Sequence, residues 1–260
     1  AGLLDAASAR AEAYARNNGG QFAEADQFFQ SIAEREAKDA SGVAEALANQ
    51  GLQQSNLSNF AAADRLLAAA EARAPGRDGV IQRLVRNYRA INQLNQRKPA
   101  AAMAALAQAV PDVAINESEE LRQGLINVPL AEGINRESGS YQEIANAGSG
   151  LRAVERAELL DAQARQLAGI AMRQSGRAAD AIGEFDRAER MIRAVRDGQL
   201  VSAAWLLADI GVERALAQEA AGNAGSAAAA FDSASALLEQ NFHVLCVSYD
   251  GFDETEETIF

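Results

Sequence analysis

Cysteine is almost missing from this chain. Cys246 is the only one, so no intrachain disulfide framework exists, and both cytoplasm and periplasm stay open as compartments. Histidine is as scarce, with His243 alone. No His/Cys ligand cluster and no phosphate loop can be read from the sequence, and no motif calls for a cofactor or metal. Basic residues are outnumbered, 24 Lys and Arg against 36 Asp and Glu, for a net charge of −12. Phosphate binding needs a basic surface, which argues against a nucleic-acid partner; the charge suits a soluble surface or a basic partner. No apolar run reaches the roughly 18 residues of a spanning helix, so membrane insertion is not expected. Four prolines, Pro75, Pro99, Pro111 and Pro129, leave long stretches unbroken. The opening Ala1-Gly2-Leu3-Leu4 brings neither a methionine nor a basic n-region. It reads as processed or trimmed, with a removed signal peptide as one route to that start.

What the chain has is alanine, beside only 5% aromatic residues. Alanine loses no side-chain entropy in a helix and lets two helices approach closely. One phrase recurs: a turn, a small or aromatic residue, then alanines followed by an apolar residue four positions on. It runs Gly20-Gln21-Phe22-Ala23-Glu24-Ala25 with Phe29, and Asn59-Phe60-Ala61-Ala62-Ala63 with Leu67 and Ala70. It returns as Lys98-Pro99-Ala100-Ala101-Ala102 with Leu106 and Ala109, and as Gly176-Arg177-Ala178-Ala179-Asp180-Ala181 with Phe185 and Ala188. The last copy is Gly222-Asn223-Ala224-Gly225-Ser226-Ala227 with Phe231 and Ala234. The anchors Ala25, Ala63, Ala102, Ala181 and Ala227 are spaced by 38, 39, 79 and 46. The interval of 79 is about two repeats, so 112–150 holds either a degenerate unit or a long excursion. Upstream of each turn stands a small residue, Ala13, Gly51, Ala90, Gly169 or Ala215, where a second helix can pack against the first.

A repeat of this length predicts stacked helix–turn–helix units whose core is made by neighbours. Helices are expected near 3–17, 21–37, 41–55, 59–73, 78–95, 99–109, 151–175, 178–195, 199–221 and 224–240. Asn18-Gly19-Gly20 reads as a turn, Pro75-Gly76 as a stop, Pro99 as a first-turn residue and Asp197-Gly198 as a helix end. Residues 133–150, with four glycines and three serines, read as a loop or hinge.

The residues of two units match a known pattern. Leu47, Gly51, Phe60, Ala63, Leu67, Ala70 and Pro75 resemble a near-complete tetratricopeptide unit, and Gly169, Gly176, Ala181, Phe185 and Ala188 resemble another. The run from Leu84 through Asn87-Tyr88-Arg89-Ala90-Ile91-Asn92 to Gln96 is similar to a phrase of bacterial proteins that join such repeats to a caspase-like CHAT domain. Glu155-Arg156-Ala157-Glu158-Leu159-Leu160-Asp161-Ala162-Gln163-Ala164 and Ser202-Ala203-Ala204-Trp205-Leu206 are similar too. The resemblance covers 1–242. It implies an all-α, right-handed superhelical solenoid of antiparallel helix pairs that binds a protein or peptide. It further implies the recognition or regulatory repeat region of a larger peptidase-associated protein. The catalytic His and Cys of that family belong to a following domain, so no catalytic residue carries over. Periods of 38 to 46 exceed the tetratricopeptide length of about 34, which alters the superhelix.

From His243 the composition changes. His243-Val244-Leu245-Cys246-Val247-Ser248-Tyr249 reads as a strand, Asp250-Gly251 as a turn and Asp253-Glu254-Thr255-Glu256-Glu257 as a solvated acidic run. Residues 243–260 are therefore expected to form a short non-helical tail, foreign to the array or able to extend a neighbour by strand addition. On a strand, residues three apart point to opposite faces, so His243 and Cys246 are badly placed for a nucleophilic dyad, and catalysis through them is the weakest alternative. The acids of the tail do not have calcium-loop spacing. Gly148-Ser149-Gly150 lacks the lysine and spacing of a phosphate loop. Asn56-Leu57-Ser58 and Asn116-Glu117-Ser118 match a glycosylation tripeptide that is common by chance. Phe22, Phe29, Phe60, Phe185, Phe231 and Trp205 read as core.

The remaining candidate surface is the inner face of the first helix of each pair. Helical spacing places on it Arg10, Tyr14 and Asn17, then Glu45 and Ser55, then Asn87, Ile91 and Leu94. Further along come Gln163, Gln166 and Arg173, and finally Asp209 and Glu219. Their amides and guanidiniums suit the backbone of an extended peptide, while the ordinary reading is a solvated helix face. The expected function is protein or peptide binding without catalysis, with self-assembly through the ends or tail as the alternative.

Overall fold

Each alanine-rich phrase becomes a helix, and so does each stretch before it. The computed structural model describes residues 6–76, 78–113, 149–195 and 201–250. Within them lie α1 (Ala6–Asn18), α2 (Phe22–Arg35), α3 (Ala40–Asn56), α4 (Phe60–Arg73) and α5 (Gly79–Asn95). Then follow α6 (Pro99–Leu106), α7 (Ser149–Gln174), α8 (Ala178–Ala194), α9 (Val201–Ala220) and α10 (Ala224–Asp250). The described residues are all-helical and contain no strand. None of these helices is long and apolar enough to cross a membrane.

The helix ends follow local chemistry. Asp39 accepts the Ser41 amide at 3.1 Å and Asp78 accepts the Ile81 amide at 3.0 Å, each capping a helix start. Pro99 occupies the first turn of α6. Ala74, before Pro75, is extended at ψ 132°, as the proline ring requires of its predecessor.

The five turns within the repeat phrases are built alike. Gly20, Ser58, Arg97, Gly176 and Gly222 all have positive φ, at 74°, 64°, 59°, 77° and 81°, and each precedes its anchor alanine by five residues. The next amide closes a ring back onto the preceding helix: Gln21 onto Arg16, Asn59 onto Gln54, Lys98 onto Gln93, Arg177 onto Met172 and Asn223 onto Gln218, at 2.8–2.9 Å. This left-handed termination favours glycine, yet two positions carry a side chain. Ser58→Gly and Arg97→Gly should each stabilise the protein by about 1 kcal/mol. A lower urea midpoint in either variant would contradict that.

All five anchors are buried, from Ala25 at 0% exposed to Ala227 at 5%. The small residues upstream are buried as well: Ala13, Ala90 and Ala215 at 0%, Gly51 and Gly169 likewise. A Cβ on Gly169 would sit 2.5 Å from the Phe185 ring, and one on Gly51 would sit 2.8 Å from Leu67. In both cases glycine permits the paired helices to touch. Sequential helices pack in turn, and α3 packs on α5, α5 on α7 and α7 on α9. Because α5 and α6 both pack directly on α7, the units flanking the interval of 79 residues are in direct contact.

Three departures from the sequence reading have physical causes. First, α6 ends at Leu106, so Ala109 lies beyond it and is exposed. Second, the strand expected at 243–249 is helix, since α10 runs to Asp250. No glycine or proline interrupts 226–250. Extending an existing helix adds one hydrogen bond per residue, whereas a lone strand leaves its backbone unpaired. Third, Phe231 is 39% exposed, unlike Phe29 and Phe185, while Phe22 and Phe60 are half-buried. The side chains of Trp205, His243 and Cys246, the Asp197-Gly198 turn, most of the 133–150 loop, the Asn116 tripeptide and the acidic run lie outside the described residues.

Candidate partner-binding face

The odd-numbered helices meet one another through polar side chains as well as through shared apolar clusters. Between α1 and α3, Glu45 is the hub. Arg10 donates to it at 3.1 Å and to Glu36 at 2.7 Å. Tyr14 donates its hydroxyl to Glu45 at 3.2 Å, and Arg156 of α7 also donates to Glu45. Tyr14 accepts from Asn49 at 3.4 Å, and Asn49 accepts from Tyr88 of α5 at 3.1 Å. Nearer the turn, Gln53 donates to Asn17 at 3.0 Å, and Asn95 donates to Ser55 at 3.0 Å.

The same construction joins α5 to α7. Asn87, fully buried, donates to the Leu160 carbonyl at 2.7 Å and to Gln163 at 3.0 Å. Arg83 and Arg86 both reach Asp161 at 2.9 Å. Between α7 and α9, buried Gln166 donates to Asp209, and Arg173 donates to Glu213 at 2.6 and 2.9 Å.

The expected inner-face residues therefore fall on the odd helices, but most of them bond to each other. Arg10, Tyr14, Asn17, Glu45, Asn87, Gln163, Gln166, Arg173 and Asp209 all belong to these seams. Glu219 is exposed at the end of α9. Ile91 and Leu94 pack into a core cluster with Ala102 and Leu167, and Ser55 is buried. Sequence spacing missed Asn49, Gln53, Arg83, Arg86, Tyr88, Arg156, Asp161 and Glu213. A usable signal was present: these polar residues interrupt the apolar register of the odd helices.

Electrostatics mark the Glu45 cluster as distinct. Burial alone would raise the Glu45 carboxyl, but Arg156, with Arg10 and the Tyr14 hydroxyl, outweighs it and holds the group below its ordinary value. Burial pushes the Tyr14 hydroxyl well up, and the Glu45 charge adds to that; burial does the same to Tyr88. The Glu213 carboxyl is raised by burial despite Arg173. For Glu45 the sign is stabilising: a depressed carboxyl favours the fold above its unfolded pKa. The contribution disappears as pH falls through the lower folded value. The stability gap between wild type and Glu45→Gln should hold steady down to about pH 4.5 and shrink below it. Urea titrations of both proteins from pH 7 to pH 3 check this; a gap that widens on acidification would refute it.

No protein-family model matches the chain, and no curated protein matches it.

Proposed function

We propose that this chain is a tetratricopeptide-like solenoid that binds a protein or peptide on the face formed by its odd helices. In this reading it is a scaffold rather than an enzyme, and serves as the recognition or regulatory repeat region of a larger CHAT-type protein. The observation that carries the proposal is the shared register: five left-handed turns, each five residues before a buried alanine, with the odd helices bonded side by side. Such an array offers one continuous polar surface, which suits an extended partner. The acidic net charge of −12 favours a basic one.

Site-specific photo-crosslinkers test the face. They are placed at Gln163 and Glu219 on odd helices, and at the exposed Arg65 and Arg187 on even helices. Capture of one partner from the odd positions alone supports the proposal, and equal labelling of both faces sinks it. Asn87 and Gln166 are poor probes because they are buried.

Self-assembly is a second reading, favoured by the exposure of Phe231 on α10. Light scattering across a concentration series, repeated with Phe231→Ser, separates the two. A mass that stays monomeric at all concentrations removes this alternative.

A further inference from the structure

Arg156 differs from every other member of the Glu45 cluster. Arg10, Tyr14, Glu45, Asn49 and Tyr88 come from α1, α3 and α5, whereas Arg156 enters from α7 and reaches past α5 to α3. It is also the most open member of the ion-pair set. The Arg156 side chain is 43% exposed, against 29% for Arg10 and 12% for Glu45.

The receiving site has bonds of its own that do not involve Arg156. Tyr88 donates to Asn49, Asn49 to Tyr14 and Tyr14 to Glu45, so a chain of hydrogen bonds fixes the wall. The Tyr14 ring is further held edge-on against Phe29, with centroids 5.4 Å apart at 76°. Arg10 binds the Oε2 side of the carboxylate, leaving Oε1 for Tyr14 and Arg156. The result is a carboxylate whose Oε1 faces the Arg156 guanidinium.

We propose that the Glu45 cluster is a guanidinium-binding site, occupied in cis by Arg156, which an arginine of a basic peptide partner enters by displacing that side chain. Arginine fits better than lysine because a guanidinium is weakly hydrated and can give one donor to Oε1 while its others stay free, as Arg156 does, whereas an ammonium is a strongly hydrated point charge that is costlier to bring into a half-buried site. The Arg156 contact then acts as an internal competitor that sets the threshold for the partner. The inference rests on the odd-helix face being the recognition face. Its failure would leave the crosslinking outcome untouched.

The test uses the full chain as wild type, as Arg156→Ala and as Arg156→Ala with Glu45→Gln. The probes are N-acetyl-arginine methylamide and its lysine counterpart, followed by titration calorimetry. Arg156→Ala should bind the arginine probe at least about tenfold more tightly than the lysine probe, and about tenfold more tightly than wild type does. Binding should vanish in the double variant. In wild type, saturating arginine probe should speed amide exchange over 154–160 as Arg156 leaves. Folded Arg156→Ala that ignores the arginine probe overturns the proposal, as does equal affinity for both probes or retained binding in the double variant. If Arg156→Ala does not fold, Arg156→Gln replaces it with the same expectations, and unchanged exchange in probe-bound wild type is by itself enough to reject displacement.

Discussion

Phe185→Ala should cost the protein about 3–5 kcal/mol, while Phe231→Ala should cost less than about 1 kcal/mol. The two phenylalanines stand at the same register, four residues after their anchors Ala181 and Ala227. Their surroundings differ. Phe185 is 0% exposed and packs so tightly on α7 that a Cβ at Gly169 would meet its ring at 2.5 Å. It belongs to a cluster with Ala162, Ala188, Ile192, Ile210 and Ala217, drawn from α7, α8 and α9. Truncation there leaves a cavity that three helices would have to close. Phe231 is 39% exposed and lies on the last described helix, so truncation removes little buried area. Urea unfolding followed by far-UV circular dichroism gives both values. Repeat arrays lose cooperativity in pieces, so the Phe185→Ala loss should appear in the transition of α7–α10. Equal losses at the two positions would mean that register, and not burial, decides.

That pair also shows how far the sequence could be read. Periodicity located every described helix because each unit carries a buried alanine and a tight turn at fixed offsets. Ser58 and Arg97 hid the left-handed residue in two of those turns, since glycine is its visible sign and neither position has it. Boundaries were weaker where no punctuation exists. Nothing in 107–110 marks the early end of α6, and the apolar, β-branched run at 243–247 looks like a strand until the unbroken helix before it is considered. Neighbour relations across the interval of 79 residues were not legible at all. Only the packing of α5 and α6 on α7 makes those units adjacent.

The candidate face was legible as a stripe but not as a set of contacts. Helical spacing puts Arg10, Glu45, Asn87, Gln163 and Gln166 on one side of their helices. It does not say that the next odd helix covers part of that side. Asn87 and Gln166 are consequently buried, and Leu94, on the same spacing, is core. Arg156 was hidden for another reason: its partner Glu45 lies 111 residues away, and no local pattern links helices two units apart.

The seam between α5 and α7 supplies the other large effect. Asp161→Ala should cost about 2–4 kcal/mol. Two guanidiniums depend on this one carboxylate, Arg83 at 10% and Arg86 at 9% side-chain exposure. Removing one partner of a buried ion pair typically costs about 3–5 kcal/mol, because the charge left behind is not resolvated. Asp161 itself is 34% exposed, so water entering its place reduces the loss somewhat. Arg83 keeps its bonds to the carbonyls of Gly79 and Pro111, at 3.0 and 2.6 Å, which softens the effect further. Asp161→Asn retains an acceptor and should cost roughly half as much. By contrast, the exposed Arg177–Asp180 pair, at 58% and 56%, should give less than about 1 kcal/mol on Asp180→Ala, and salt should erase that. The decisive comparison is a triple replacement, Arg83→Met with Arg86→Leu and Asp161→Leu. If the seam serves mainly to align α5 against α7, this variant should match or exceed wild-type stability. Amide exchange at Asn87 and Gln163 should nevertheless quicken, because apolar contacts hold two helices together without fixing how far one has slid along the other.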